Sequence, residues 1–178
     1  MQRIFSRITR LVRHRLAEPG LQRHIPAATL EKLEAAIGDS EHLHTGQIRI
    51  CIEAGLPWSY IWRDATARER ALSQFGKLRV WDTEHNNGVL IYLLLADHAI
   101  EIVADRALER SMNAEHWQTL ISDMGSAFRT GHYELGLMAA LERVSQQLSA
   151  CFPSHGDTTH LDELPNAPVV QGHGRPDA

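Results

Sequence analysis

The run GVLIYLLLA at residues 88–96 carries no charge and no alternation of apolar with polar side chains. A strand with one wet face alternates, so an unbroken apolar run of this length belongs to a strand covered on both faces. It is too short to cross a bilayer, which needs about 20 residues of helix. A chain built round such a strand must supply a layer on each side of it. The flanking segments have the spacing to do so.

Upstream, GQIRICIE alternates, with Ile48, Ile50 and Ile52 on one side and Arg49, Cys51 and Glu53 on the other, which predicts a strand. Before it, IPAATLEKLEAAI puts Leu30, Leu33 and Ile37 on one face behind Pro26, a residue suited to a first helical turn, and predicts a helix over residues 26–43. A second helix is expected over residues 58–75, stopped by Gly76, followed by a short strand in KLRVWD. HAIEIVA is expected to pair with the apolar run as a hairpin after a tight turn at Asp97 and His98. Asn113 then caps a helix carrying Trp117, Leu120, Ile121, Met124 and Phe128, and a last helix carries Leu137, Met138, Leu141, Val144 and Leu148.

The expected fold class is α/β, a three-layer αβα sandwich around a mixed four-stranded sheet. At 178 residues, 43% hydrophobic and 22% charged, the chain suits one such domain. Residues 25–152 are assigned to the sandwich, residues 1–24 to a basic amphipathic helix and linker, and residues 153–178 to an irregular tail rich in Pro, Gly, His and Asp. Within that tail, LDELPNAPVV is apolar enough to dock locally. A net charge of −4 argues against nucleic acid as a partner. Cys51 and Cys151 lack the close spacing of a redox pair or metal knuckle and read as reduced core thiols. No signal-like apolar segment follows the N-terminal arginines, so a cytoplasmic location is expected.

In MQRIFSRITRLVRHRLAE, Ile4, Phe5, Ile8, Leu11, Val12 and Leu16 recur at helical spacing, and Arg3, Arg7, Arg10, Arg13 and Arg15 fill the rest of the wheel. Two readings of this basic amphipathic helix stand side by side. Its apolar stripe packs on its own domain or a second copy, or it attaches the chain to an anionic membrane surface, the inner membrane face for a cytoplasmic protein, or to an acidic groove of a partner protein.

If the strands around Ile50 and Val80 are parallel and the chain reverses into and out of the apolar run, then Glu53, Asp82, Glu84, Asn86, Asn87, Asp105 and Arg106 share one rim of the sheet, with Asp97 at the other. Carboxylates and amide oxygens from several loops suit a hard cation, Ca²⁺ or Mg²⁺. With a metal or Arg106 to stabilise charge, the same carboxylates suit phosphate monoester hydrolysis. They also suit plain turn chemistry, since Asp and Asn bond their own backbone at strand ends. In SEHLHTG, His42 and His44 with Glu41 lack a further metal ligand and read as histidines favoured by a helix C-terminus, near the opposite sheet edge. No P-loop, dinucleotide glycine fingerprint, nucleophile elbow or zincin motif occurs.

The blocks TGQIRICIE, NNGVLIYLLLAD, IEIVADRAL and FRTGHYELGL resemble the successive blocks of the TPM domain, and the LRVWDTEHNNGVLIYLLLAD core with the ELPNAPVV tail is similar to a short soluble proteobacterial branch of that family. The resemblance covers roughly residues 25–152 and the tail. It implies an αβα sandwich, divalent-cation binding at acidic loops in some members, acid phosphatase activity in some plant members, and no established activity in many. It sets the family's acidic loops on Asp82, Glu84 and Asp105, with Asn87 and Gly88 as the asparagine–glycine step. Asn86 stands where most of the family has Asp, which removes a charge, and Ala107 stands where the branch has Gly.

Overall fold

A computed structural model describes residues 2–111, 127–154 and 163–172, with the side chains of residues 2–6 and 111 excepted. The chain runs α1 (Gln2–Ala17), a 3₁₀ turn (Glu18–Gly20), α2 (Leu21–His24), α3 (Ala27–Glu41), β1 (Gln47–Glu53), α4 (Trp58–Trp62) and α5 (Ala67–Lys77). It continues through β2 (Gly88–Leu94), a 3₁₀ turn (Leu95–Asp97), β3 (Ala99–Ala104), α6 (Arg106–Ser111), α7 (Tyr133–Cys151) and β4 (Val169–Gln171). The strands form one mixed sheet in the order β3-β2-β1-β4.

Strand alternation explains the layers. Ile48, Ile50 and Ile52 of β1 with Val89, Ile91 and Leu93 of β2 face α3 and α7, where they meet Leu33, Ile37, Leu137 and Val144. Cys51, Leu90, Tyr92 and Leu94 face the other way, onto Leu56, Ile61, Ala71 and Leu164. Every residue of β2 is buried, as its unbroken apolar run requires. The expected three-layer αβα sandwich and the β2–β3 hairpin are both present.

Three expectations need correction. The helix over residues 58–75 is two helices, broken where Asp64 adopts a φ of 59° and Thr66 opens α5 with a capping box to Glu69. Residues 77–82 are not a strand: α5 runs through Gly76 to Lys77, and the backbone N–H groups of Leu78, Val80 and Asp82 bond to Gln74, Phe75 and Arg79. Those donors are spent on turns closing the helix, and none is left to pair along a ladder. The fourth strand comes instead from the tail, where β4 pairs parallel to β1 through Cys51↔Val169. The segment expected to be irregular thus completes the sheet.

β1 is therefore parallel to β2 directly, with Gln47 opposite Gly88 and Glu53 opposite Leu94. Gly88 begins β2 because a Cβ there would lie 2.0 Å from the Val80 carbonyl oxygen. Cys51 is buried and Cys151 half-buried against the core, both unpaired. The helix expected from Asn113 lies outside the described residues except at its end, where Phe128 is buried.

Candidate functional site

The starts of β1 and β2 and the end of β3 form one rim. Asn87 immediately precedes β2: its N–H donates to Thr83 Oγ1 (3.2 Å) and its Nδ2 to the carbonyl (3.1 Å) and hydroxyl (3.3 Å) oxygens of Thr45. Its Oδ1 is buried and accepts no hydrogen bond from any described residue. Asp105 follows β3, anchored by its own N–H to Gly88 O (2.9 Å), and its carbonyl accepts from Leu108 and Glu109 in α6. The residue is 5% exposed. Oδ1 accepts from the Arg106 N–H at 2.7 Å, while Oδ2 is buried with no partner among the described residues.

The other expected rim residues divide. Asn86, at a φ of 52°, accepts from Arg106 Nη2 at 2.8 Å and through its carbonyl from Ala107 N–H, so its amide is committed to a protein partner. Asn86 and Arg106, with His85, Ala107 and Arg110, line a shallow surface cleft beside Asp105. Asp82 and Glu84 reach this rim, but their side chains are exposed. The Glu84 N–H donates to Glu163 Oε2 in the tail. Among the described residues no cluster of three or more His, Cys, Asp or Glu side chains is placed to hold a metal ion. What the rim offers is one buried carboxylate with a free oxygen and one buried amide oxygen.

Glu53 does not belong to this rim. Because β1 is parallel to β2, it lies at the far end of the sheet, fully buried, where the Arg70 guanidinium grips it with Nε to Oε2 at 2.8 Å and Nη2 to Oε1 at 2.5 Å. The Tyr92 hydroxyl donates to the same carboxylate at 2.6 Å. Burial would lower the Arg70 guanidinium, but Glu53 outweighs it and pushes it up. Burial and the Glu53 charge raise the Tyr92 hydroxyl well above its ordinary value, and the same two causes push the Cys51 thiol up to about 12. His44 also moves from its expected edge. It precedes β1 beside Thr45, on the Asn87 rim, buried with Nδ1 at 2.9 Å from Gly46 O.

Asp97 stands at the same end as Glu53 and receives α1. Arg10 Nη2 bonds Asp97 Oδ2 (3.0 Å) and Ala65 O (2.8 Å), Arg10 Nη1 reaches Asp64 (3.2 Å), and Arg13 bonds the second Asp97 oxygen. His14 is 1% exposed, accepts the Leu56 N–H on Nδ1 at 2.9 Å and sets Nε2 3.1 Å from Asp97. Burial would raise the Asp97 carboxyl, but the His14 ring and then Arg10 outweigh it and hold it well below the usual carboxylate range. The helix backbone comes so close that a Cβ on Gly55 would lie 2.6 Å from His14 O. Sequence reasoning missed His14, Arg70, Thr45 and Thr83. The Thr66–Glu69 capping box before Arg70 signals where α5 starts, but not that Arg70 and Gln74 turn inward.

Comparison with known proteins agrees with this architecture. The chain is similar to the BA42 protein of the psychrophilic bacterium Bizionia argentinensis, solved by NMR, at 26% identity and a TM-score of 0.71, over 83% of this chain and 95% of that one. No curated protein matches at a significant level. The family model of the TPM domain matches residues 22–147, from α2 through most of α7. With the sandwich, the hairpin and the Asn87–Gly88 step in place inside that span, the chain belongs to the TPM-domain family.

Proposed function

We propose that this chain is a non-enzymatic binding and assembly module of the TPM type that takes a hard divalent cation, Ca²⁺ or Mg²⁺, at the rim of Asn87 and Asp105. One observation carries the reading: the Asp105 carboxylate is buried with Oδ2 unpartnered among the described residues. A buried acceptor oxygen left without a partner costs about 1–3 kcal/mol as a rule, and a cation bound by oxygen ligands removes that cost. Asn87 Oδ1, also buried and unpartnered, lies at the start of the neighbouring strand, and carbonyl oxygens and water would supply the rest of the shell.

A metal-assisted phosphatase acting on phosphate monoesters is the second reading. Arg106 favours it, with Nε 3.7 Å from Asp105 Oδ1 and the guanidinium beside an open cleft. Against it, separate acid and base roles need two groups held apart, and the described rim holds one buried carboxylate. The same proposal locates the module in the cytoplasm, peripheral to the inner membrane face, with α1 as the attachment element. The arginines of α1 support it, and no described helix is long and apolar enough to cross a membrane.

The test is thermal unfolding with Ca²⁺, Mg²⁺ or Mn²⁺ against chelator, on the wild type, Asp105→Asn, Asn87→Ala and, as a control, Glu84→Gln. A bound cation at a hundredfold excess over its Kd should raise the melting temperature by about 5–10 °C. Asp105→Asn should abolish that rise and Glu84→Gln should keep it. Metal-dependent hydrolysis of p-nitrophenyl phosphate, lost in Asp105→Asn, would replace this reading with the phosphatase. No response to any ion sinks both.

A further inference from the structure

A helix that simply packs on its own domain turns its apolar stripe inward. The described part of α1 leaves most of that stripe exposed. Leu11 alone of its described apolar residues joins the core, beside Arg10 and His14 on Asp97. Ile8, Val12 and Leu16, at steps of four along the helix, face out at 51%, 50% and 70% exposure. Contiguous with them stand Trp58 and Trp62 of α4, their rings stacked at 5.6 Å and 53% and 55% exposed. Ile8 joins Arg7, Leu11, Trp58, Ile61 and Trp62 in one shallow cleft between the two helices, while Val12 and Leu16 border a second groove with Leu95, Ala96 and Tyr133. Exposed apolar side chains gathered together and rimmed by polar ones mark interaction surfaces.

Charge decides between occupants. α1 holds five arginines and no acid, in a chain whose net charge is −4. The Arg13 side chain, bonded to Asp97, and the Arg15 side chain, 3.6 Å from Glu18 Oε1, are each still 56% exposed, and the Arg7 guanidinium sits 5.6 Å from the Trp62 ring centroid. A second copy docked symmetrically on this face would oppose one arginine helix to another. A bilayer with anionic headgroups answers both halves of the pattern: apolar side chains enter the acyl boundary, tryptophans sit at headgroup level, and arginines meet phosphate and carboxylate.

We propose that the outward face of α1, with Trp58 and Trp62, docks on an anionic lipid bilayer, α1 lying in the membrane plane while Arg10 and His14 pin it to the Asp97 end of the sheet. This rests on the reading of the chain as a peripheral module and names the surface and the lipid chemistry. The domain would approach the membrane with the carboxyl ends of its parallel strands, leaving the Asn87–Asp105 rim away from the bilayer.

The test is co-sedimentation of the full chain with phosphatidylcholine vesicles, with and without phosphatidylserine, at low and high salt. Val12→Glu with Leu16→Glu, and Trp58→Ala with Trp62→Ala, change exposed side chains and should leave the melting temperature close to wild type; Leu135→Glu, exposed on α7, is the control. Anionic vesicles should bind the wild type and the control. Each double variant should bind about tenfold more weakly or worse, since burying one large apolar side chain is itself worth at least about that factor. Wild-type binding that both double variants retain overturns this face but spares the peripheral reading. Absence of binding to any vesicle overturns both, and a solution dimer dispersed by the double variants would then name a second copy as the occupant.

Discussion

The Glu53 carboxyl group has no access to water, and four donor contacts from Arg70 and Tyr92 replace the lost hydration. Breaking such a pair from one side leaves a buried charge alone. Glu53→Gln should therefore cost about 3–5 kcal/mol in urea denaturation, and Glu53→Gln with Arg70→Met should cost clearly less than the two single changes added together. Additive losses would mean that the ion pair is not the unit we describe. The residue also shows where sequence reading fails. Alternation in β1 sets Glu53 with Arg49 and Cys51 on the more polar side, which looks like a wet rim. Its cover is α5, whose inward face carries Arg70 and Gln74, so its helical wheel does not announce itself as buried. Asn87 was legible, because an Asn-Gly step before an apolar strand is turn chemistry with a spare amide. The burial of Asp105 was not, since nothing local distinguishes it from the exposed Asp82.

Among the elements, α1 was recognisable by period and charge, but which face it turns inward was not. The choice depends on Asp97, a distant carboxylate that rewards arginine on the inner side. That dependence has a sign in pH. Because the Asp97 carboxyl is held below its ordinary value, its contribution is complete above the unfolded aspartate value near pH 3.9 and drains away as pH falls toward the folded one. Scanning calorimetry should find the melting temperature insensitive to this group from pH 7 to about 5 and falling below about 4. In Asp97→Asn it should start lower at pH 7 and fall less steeply. Parallel curves for the two proteins would show that Asp97 does not hold α1 down. β4 was hidden for a related reason: a three-residue strand among prolines has almost no periodicity to read, and its identity is set by β1, which has an open edge to fill.

At the scale of the whole molecule the layers followed from one fact, the two-sided burial of β2, while the connection order did not. Leu78 and Val80 alternate as a strand would, and only the helix-closing hydrogen bonds of residues 78–82 show that the chain turns there and returns parallel to β1. That single change sends Glu53 to one end of the sheet and leaves Asp105 at the other. The tail matters equally: Leu164 enters the core, Gln171 bonds Gln74 at 2.6 Å, and Arg49 bonds the carbonyl oxygens of Pro165 and Ala167. A chain shortened to end at Phe152 should unfold at lower urea and scatter light at micromolar concentration, because β1 becomes an exposed edge. Equal stability and solubility would make β4 an ornament.

The return of that tail also has a bearing on synthesis. Gln47 Oε1 accepts backbone N–H groups from Glu163 and Leu164, the former 116 residues further along the chain. At ribosomal speeds of about 5–20 residues per second, β1 waits several seconds or more with one side unclaimed. During that interval the nascent sheet is a three-stranded ribbon whose β1 edge lies open to any passing strand.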